Sequence, residues 1–197
     1  MSSKPQANPE TPRPAVARDG ATWSEITSLG DGAFRVRLGG AFRPAFMATL
    51  GMALSERLIS IDRVHATRAR DGSWLGELHV IARSGAHDPM TVPYVALADA
   101  DVAHAPSPLQ LDRYELIESS DHGGTLRLTL EAQDALGLLG SLFSSLATLR
   151  LFPVEMHIET RSGRAHDRMW LGSAGTSAPS SQAEEALRRL LASSLKL

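Results

Sequence analysis

The stretch TLRLTLEAQDALGLLGSLFSSL, residues 125–146, specifies the local structure of the second half of the chain. Leucines at alternate positions from Leu126 to Leu130 predict a strand with one apolar face. A corner containing Asp134 and Gly137 follows. The next residues have an apolar stripe at helical spacing, formed by Leu139, Leu142, Leu146 and Leu149. Glycine weakens a helix, so its presence here indicates a tight corner or a close approach by a ligand or another chain.

The composition excludes several classes of function. The chain has 197 residues and a net charge of −2, so no strong overall field attracts nucleic acid or an acidic membrane. It has no cysteine, which excludes disulfides, thiol catalysis and cysteine-ligated metals. No apolar run is long enough for a membrane span, and the N-terminus lacks the apolar core of a secretory signal. We expect a cytoplasmic protein with a disordered tail at 1–20, where four prolines and few apolar side chains occur.

The same order of elements occurs twice, about 92 residues apart. The pattern AFRVRL at 33–38 returns as TLRLTL at 125–130, and His65 corresponds to His157. Each copy opens with a hairpin, continues with a helix and a second hairpin of longer strands, and ends with a helix. The repeat divides the chain into a first unit at 21–104, a linker at 105–112 and a second unit at 113–197.

The pattern of elements indicates the α+β class. Half-buried antiparallel strands with both helices on one face predict a two-layer sandwich for each unit. Ser181 and Glu184 are predicted to form a capping box at the start of the last helix. The helix that ends the first unit is expected near 90–103, with Pro93 in its first turn.

One helix of the second unit carries more apolar residues than a single sheet can cover. Phe143 lies outside its main apolar stripe, and Gly140 and Ser144 are small residues four positions apart. Small residues at this spacing allow a second helix to come close. We expect this helix to pack against its counterpart near 50–58, or across a dimer; a wide core stripe is the alternative explanation.

The strand LRLTLEA, the corner QDALG, the helix GLLGSLFSSLATLR and the strand PVEMHIET with its return hairpin resemble an ACT domain, over about 70 residues at 125–195. In that family an acidic residue, two further residues and a glycine open the first helix, and Asp134 and Gly137 match this motif. The chain looks most like the tandem ACT repeats at the end of PII-uridylylating sensor enzymes. The first unit departs from the pattern, because its corner GGAFRPAF has Ala45 at the glycine position and no acidic residue nearby.

The resemblance implies two ferredoxin-like sandwiches whose sheets lie edge to edge or whose helices pack together. The family pattern ends in a fourth strand that pairs with the first, yet no strand candidate follows the helix at 183–195. The strand at 113–120 is able to fill this place in the second unit, as 22–28 is in the first. Alternatively, each opening strand completes the sheet of the other unit. We favour the local arrangement because its connections are shorter.

The resemblance also implies a non-catalytic regulatory protein that binds an amino acid or a similar metabolite at the interface between ACT units. The implied site residues are Asp134, Gly137 and Leu138, at a corner where the N–H groups of a helix start suit a carboxylate. We expect a homo-oligomer or a protein partner, and no cofactor. A degenerate pairing module without a ligand is the alternative, because RPA at 43–45 replaces the motif in the first unit.

The histidines raise the question of a metal site. His65 and His79 are predicted as cross-strand neighbours on the polar face of a hairpin that turns at 71–72. Such a pair, with Glu77 as a third ligand, is able to hold a metal ion. His157 lies with two glutamates on the matching face of the second unit. Because histidine, arginine and glutamate are ordinary on a solvated face, we expect no metal site.

The polar sheet face offers an alternative from another class, a surface that binds nucleic acid. Its arginines are Arg35, Arg37, Arg63, Arg127 and Arg168. For base stacking, however, only Trp170 and one of Trp74 and Trp23 are available, and the chain lacks the basic–aromatic run of RNA-recognition modules. A G-x-S-x-G nucleophile elbow is also absent, so the helix serines are expected to serve packing. We expect neither nucleic-acid binding nor enzymatic activity.

Overall fold

The computed structural model describes residues 21–100, 107–174 and 178–196. The expected tail at 1–20 and the first two residues of the expected linker lie outside these ranges. The strands are β1 Trp23–Gly30, β2 Ala33–Gly40, β3 Ile59–Arg68, β4 Trp74–Ala82, β5 Arg113–Ser119, β6 Thr125–Gln133, β7 Leu151–Arg161 and β8 Arg164–Ser173. The α-helices are α1 Phe46–Glu56, α2 Tyr94–Asp99, α3 Leu138–Thr148 and α4 Ser181–Ser193.

The strands form one antiparallel sheet in the order β1-β2-β4-β3-β7-β8-β6-β5. Each half of this sheet comes from one copy of the repeat. The halves join where β3 pairs with β7, with His65 opposite His157 and Ala66 opposite Met156. The edge-to-edge arrangement thus takes the form of a single continuous sheet. Because His65 and His157 are equivalent in the repeat, their pairing lies on the approximate two-fold axis that relates the halves.

The opening strand of each unit completes the sheet of its own unit. β1 pairs with β2, and β5 pairs with β6, in each case through a short hairpin. This is the local alternative of the two that the sequence left open. In each half the opening strand lies beside the strand that leads into the first helix, where the ACT pattern places its fourth strand. The α+β architecture is therefore consistent with an ACT-like ferredoxin fold.

Alternation along the strands separates a core face from a polar face. The buried residues of the core face include Val36, Leu38, Val64, Leu78, Leu128, Leu130, Met156 and Met169. They form one hydrophobic cluster with apolar residues from all four helices, among them Leu54, Tyr94, Leu146 and Leu187. Burial of one such aliphatic side chain contributes about 1.5–3 kcal/mol. Because the cluster is continuous across the β3–β7 junction, the two halves share a core.

Helices α1 and α3 cross at two glycines. A Cβ atom on Gly140 would lie 2.7 Å from the sulfur of Met52, and one on Gly51 would lie 3.1 Å from the backbone of Gly140. Any larger residue at Gly140 would have to push the helices apart. The expectation that α3 packs against its counterpart is confirmed, and within one chain.

Two predicted helix starts were wrong in detail. Helix α4 begins one residue earlier than a capping box at Ser181 requires, because the hydroxyl of Ser180 accepts the N–H of Ala183 at 3.2 Å. Glu184 instead pairs with Arg188 one turn further on, at 2.6 Å. The helix expected near 90–103 is the short α2, and Pro93 is its N-cap residue rather than part of its first turn. The last part of that predicted range lies outside the described residues.

Candidate functional site

The corner between β6 and α3 has a backbone conformation that favours glycine. Gly137 is the N-cap residue of α3, with φ of 87° in the left-handed region. A Cβ atom here would lie 3.0 Å from the Oγ atom of Ser55 on α1. Gly137 therefore permits both the turn and the close approach of the first unit. Its presence is explained without a ligand.

The first turn of α3 presents backbone N–H groups at this corner. The N–H of Leu138 donates to the carbonyl of Ala135 at 3.0 Å, and that of Ser141 donates to Gly137 at 2.9 Å. Among the residues described, no side chain caps the helix. The first N–H groups of an α-helix have no partner inside it, and with the helix dipole they favour an anion.

Asp134 lies in the wall of the same corner, with a side chain that is 16% exposed. Its backbone N–H donates to the carbonyl of Gly163 at 2.9 Å, which fixes the end of β6 against the β7–β8 turn. Its carboxylate lies 3.4 Å from the guanidinium of Arg83. Burial raises the pKa of Asp134, the charge of Arg83 opposes that rise, and Asp62 adds to it. A further cation at this carboxylate would therefore be stabilised.

A cleft of about 470 Å³ lies against the corner and is lined by Asp134, Gly137 and Leu138. Helix α1 forms the opposite wall through Met52 and Ser55. Clefts of this volume hold small metabolites. The structure thus brings the three residues implied by the resemblance to one cleft, and that cleft lies between the two units.

Lys196 also lines this cleft, and its amino group pairs with a carboxylate. It lies 3.0 Å from the carboxylate of Asp112, which is also 2.8 Å from the guanidinium of Arg164. These two cations hold the pKa of Asp112 below its usual range, the hydrogen bond from Lys196 being the largest cause. The lysine was not predicted as a site residue, because only the parallel bridge between Leu111 and Leu195 brings the C-terminus to the corner.

The equivalent corner of the first unit is filled by aromatic rings. Phe42 stacks on Phe46 with ring centroids 5.1 Å apart, and Phe46 packs against Trp74 at 5.0 Å. All three are buried. Ala45, in the position of Gly137, has an ordinary φ of −89°. The first corner is therefore part of the hydrophobic core.

Asp167 is a second carboxylate of this region, and it was not predicted. It lies on the core face of β8 between Leu130 and Ile158, and it is 1% exposed. Neither of its carboxylate oxygens has a regular hydrogen-bond partner among the residues described. Burial raises the pKa of Asp167 to about 8; the N–H of Glu159 opposes this rise and the charge of Asp134 adds to it. The sequence signal that could have identified this buried carboxylate is its position, since Asp167 occupies an apolar position of an alternating strand.

On the other side of the sheet, two of the five predicted arginines pair with glutamates. Arg37 lies opposite Glu77 and 3.6 Å from Glu25, and Arg63 lies 3.2 Å from Glu159. Arginines paired in this way are less available to contact phosphates than a bare basic stripe. The stacking candidate Trp170 is partly buried, and its indole N–H donates to Asp121 at 3.1 Å. We therefore do not propose that this face binds nucleic acid.

The predicted histidine pair was wrong. In the hairpin register, His65 lies opposite Glu77, and His79 lies opposite Arg63. His65 instead meets His157 across the β3–β7 junction, where their Nδ1 atoms are 3.0 Å apart. The signal for this contact was the repeat itself, since equivalent residues meet where a two-fold axis passes between two strands.

Within the described ranges, no three histidine or carboxylate side chains are grouped so as to hold a metal ion. The same part of the chain contains no helix whose length and apolar character would let it span a membrane.

No protein-family model matches this chain, and no curated protein matches it. Among solved structures, the fold is similar to part of an aspartate kinase from Synechocystis, with a TM-score of 0.50 and 15% sequence identity. The similarity covers 82% of this chain and 27% of the kinase chain. At that identity it shows the fold alone. It agrees with the antiparallel α+β architecture described above, which is consistent with an ACT-like fold.

Proposed function

We propose that this protein is a regulatory module with an ACT-like fold, which binds a small amino-acid-like metabolite in the cleft beside Asp134, Gly137 and Leu138 and has no catalytic activity of its own. One observation carries the proposal. The cleft is lined by Asp134, whose carboxylate is partly buried, and by Gly137 and Leu138 at the uncapped start of α3, and it lies between the two units.

The two polar ends of the corner define the class of ligand. The carboxylate of Asp134 attracts an ammonium group, because burial already disfavours its charge and Arg83 neutralises it only from 3.4 Å. The N–H groups at the start of α3 attract a carboxylate. A zwitterion such as a free amino acid carries both groups on adjacent atoms. Leu138 and Met52 line the same cleft and offer apolar surface to its side chain.

The pairing module without a ligand remains the second candidate. It is favoured by the observation that the helix crossing at Gly51 and Gly140 and the β3–β7 junction already pair the two units inside one chain. A protein whose only role is this pairing needs no occupant of the cleft. The two candidates differ in whether any metabolite stabilises the native state.

Thermal-shift measurements with the individual proteinogenic amino acids, followed by calorimetric titration of those that act, test the proposal. A ligand that binds only the native state raises its apparent stability. We expect at least one amino acid to raise Tm in the natural protein and to lose tenfold or more in affinity in Asp134→Asn, because a charge-assisted bond contributes about 1.5–3 kcal/mol.

The matched control is Asp121→Asn, which neutralises an exposed carboxylate on the opposite side of the sheet. It is expected to keep the affinity of the natural protein. Gly137 is unsuitable for this test, since its replacement strains the backbone whether or not a ligand binds. If no amino acid shifts Tm, or if Asp134→Asn binds as tightly as the natural protein, the ligand assignment fails and the pairing module remains.

A further inference from the structure

We propose that His65 and His157 form a binding site for a divalent transition metal ion of the Cu²⁺ type at the centre of the polar sheet face. The site lies on the face opposite the cleft and does not depend on the proposed function. It rests on three observations: the distance between the two Nδ1 atoms, the carboxylate that orients His157, and the position of the pair at the junction of the units.

The carboxylate of Glu155 fixes the protonation of His157. Its Oε1 atom lies 2.7 Å from Nε2 of His157, and its Oε2 atom lies 3.1 Å from Nε2 of His122. An ionised carboxylate only accepts hydrogen bonds, so Nε2 of His157 carries the proton. In the neutral ring, Nδ1 then presents its lone pair to His65. A metal-binding histidine characteristically donates its other N–H to a carboxylate in this way.

The distance between the nitrogens is compatible with two ligands of one metal ion. At a typical metal–nitrogen distance of about 2.05 Å, two ligands at a right angle are about 2.9 Å apart, and two in a tetrahedral site are about 3.3 Å apart. The Nδ1–Nδ1 distance in the metal-free pair is 3.0 Å, which lies between these two values. Among divalent first-row metal ions, Cu²⁺ has the highest affinity for nitrogen ligands, so we expect Cu²⁺ to bind this pair most tightly.

Without a metal, the pair shares one proton, which His65 donates from Nδ1 to Nδ1 of His157. On metal binding this proton moves to Nε2 of His65 through solvent, so a neutral pair keeps its number of protons. The two rings also have to rotate until both lone pairs converge on one point. Both histidines are exposed on the sheet surface, and the side chain of His157 is 44% exposed, which permits this rotation and leaves space for water at the remaining positions.

The charged and aromatic side chains around the pair are compatible with a bound metal ion. Trp170 lies edge-on to the ring of His157, with centroids 5.8 Å apart, and restricts its orientation from one side. The charged neighbours in register are Glu77 opposite His65 and Arg168 opposite His157. One row away, Glu159 pairs with both Arg63 and Arg161. With Glu155 added, three carboxylates and three arginines surround the pair, so no excess of positive charge repels a metal ion.

Titration of the full chain with CuCl₂, followed by calorimetry and electron paramagnetic resonance, tests the site. We expect one tight equivalent whose spectrum shows hyperfine coupling to two nitrogens. His65→Gln and His157→Gln should each weaken this equivalent at least tenfold and leave at most one coupled nitrogen. Glu155→Gln should weaken it by about 10–100-fold, because it removes the acceptor that orients His157.

His79→Gln is the matched control. His79 lies on the same face and pairs at 3.2 Å with a glutamate two residues before it, as His157 does with Glu155. Its cross-strand neighbours are Arg35 and Arg63 rather than a second histidine. This variant should bind Cu²⁺ as the natural protein does. Equal binding by His157→Gln and the natural protein, or a spectrum with a single coupled nitrogen in the natural protein, would overturn the proposal. Circular dichroism of each variant confirms that the fold is intact.

Discussion

The corner at the start of α1 and the corner at the start of α3 have the same position in the repeat but opposite character. Superposing the two copies by the 92-residue offset, which becomes 91 after the hairpin turns at Gly72 and Gly163, gives the equivalences. They are Phe42 with Asp134, Ala45 with Gly137, Phe46 with Leu138, Trp74 with Ala165, and Gly76 with Asp167.

Four of these exchanges place a smaller residue in the second unit, and two of the five place a carboxylate there. The first unit uses three aromatic rings where the second uses an aspartate, a leucine and an alanine. The rings fill the first corner, and the smaller residues are accompanied by a cleft at the second. The first unit has Gly76 where the second buries the carboxylate of Asp167. The corner of the first unit is thus part of the core, whereas the second unit has two buried or partly buried carboxylates and a cleft at its corner.

Removal of an aromatic ring from the first corner should have the largest effect on stability. Phe46 is 1% exposed, so Phe46→Ala should lower the free energy of unfolding by about 3–5 kcal/mol through lost burial and the cavity left behind. Leu138 at the second corner is only partly buried, and Leu138→Ala should cost clearly less. Urea denaturation of both variants measures the difference. Equal losses would mean that the second corner is as much a part of the core as the first.

The buried carboxylate makes stability depend on pH with a predictable sign. The pKa of Asp167 is about 8 in the folded protein, against an unfolded value of 3.8. The folded state therefore binds more protons between these values, and its stability falls as pH rises from about 4 to about 8, with a limiting slope of about 1.4 kcal/mol per pH unit.

Asp167→Asn removes this titration, so its stability should fall less over that range than that of the natural protein. The readout is the difference between the two pH profiles from urea denaturation, because the amide has its own burial cost. Asp121→Asn is the control of opposite sign. Hydrogen bonds from Ser119 and Trp170 lower the pKa of Asp121, so its stabilising contribution is lost only in acid. Parallel profiles for Asp167→Asn and the natural protein at neutral pH would contradict the burial of an ionisable group.

Gly137 and Ala45 are the N-cap residues of α3 and α1. Replacing each by the other residue type should change the free energy of unfolding less than the substitutions above, and by unequal amounts. Gly137→Ala forces an alanine into the left-handed region, which costs about 1–2 kcal/mol, and brings its Cβ to 3.0 Å from Ser55. Ala45→Gly should be nearly neutral, because φ there is −89° and glycine is a better N-cap than alanine. Both are measured by urea denaturation. A neutral Gly137→Ala would show that the corner is able to relax.

Local features of the fold could be predicted from the sequence, and the junction between the units could not. Alternation around Leu128 and the glycine turns place the strands within a few residues, because these signals lie within one element. The pairing of β3 with β7 joins residues about 92 positions apart, and no local pattern encodes its register. The hairpin register was also predicted incorrectly: His79 was assigned as the neighbour of His65, whereas Glu77 lies opposite His65 in β4 and His157 lies on its other side in β7.

The residues of the candidate site could also be predicted from the sequence only in part. Asp134 and Gly137 were identified from a motif, which is a local signal. Ser55, Arg83 and Lys196 reach the same corner only through the helix crossing, the β4 end and the C-terminal bridge. Asp167 stood in the sequence as a break in an apolar row, but alternation alone does not say whether such a residue is buried or marks an irregular strand.

The smallest change in the free energy of unfolding is expected when the residue of one corner is replaced by its equivalent from the other corner. Leu138→Phe introduces at the second corner the residue that the first corner has at Phe46, and because both are apolar it should change the free energy of unfolding by less than about 1.5 kcal/mol. The larger ring should nevertheless occupy the cleft that Leu138 lines and abolish the shift in Tm caused by an amino acid. Phe46→Leu, the reverse exchange, should leave that shift intact. If Leu138→Phe retained full ligand response, the ligand would have to bind elsewhere, and the contrast between a filled and an open corner would concern packing alone.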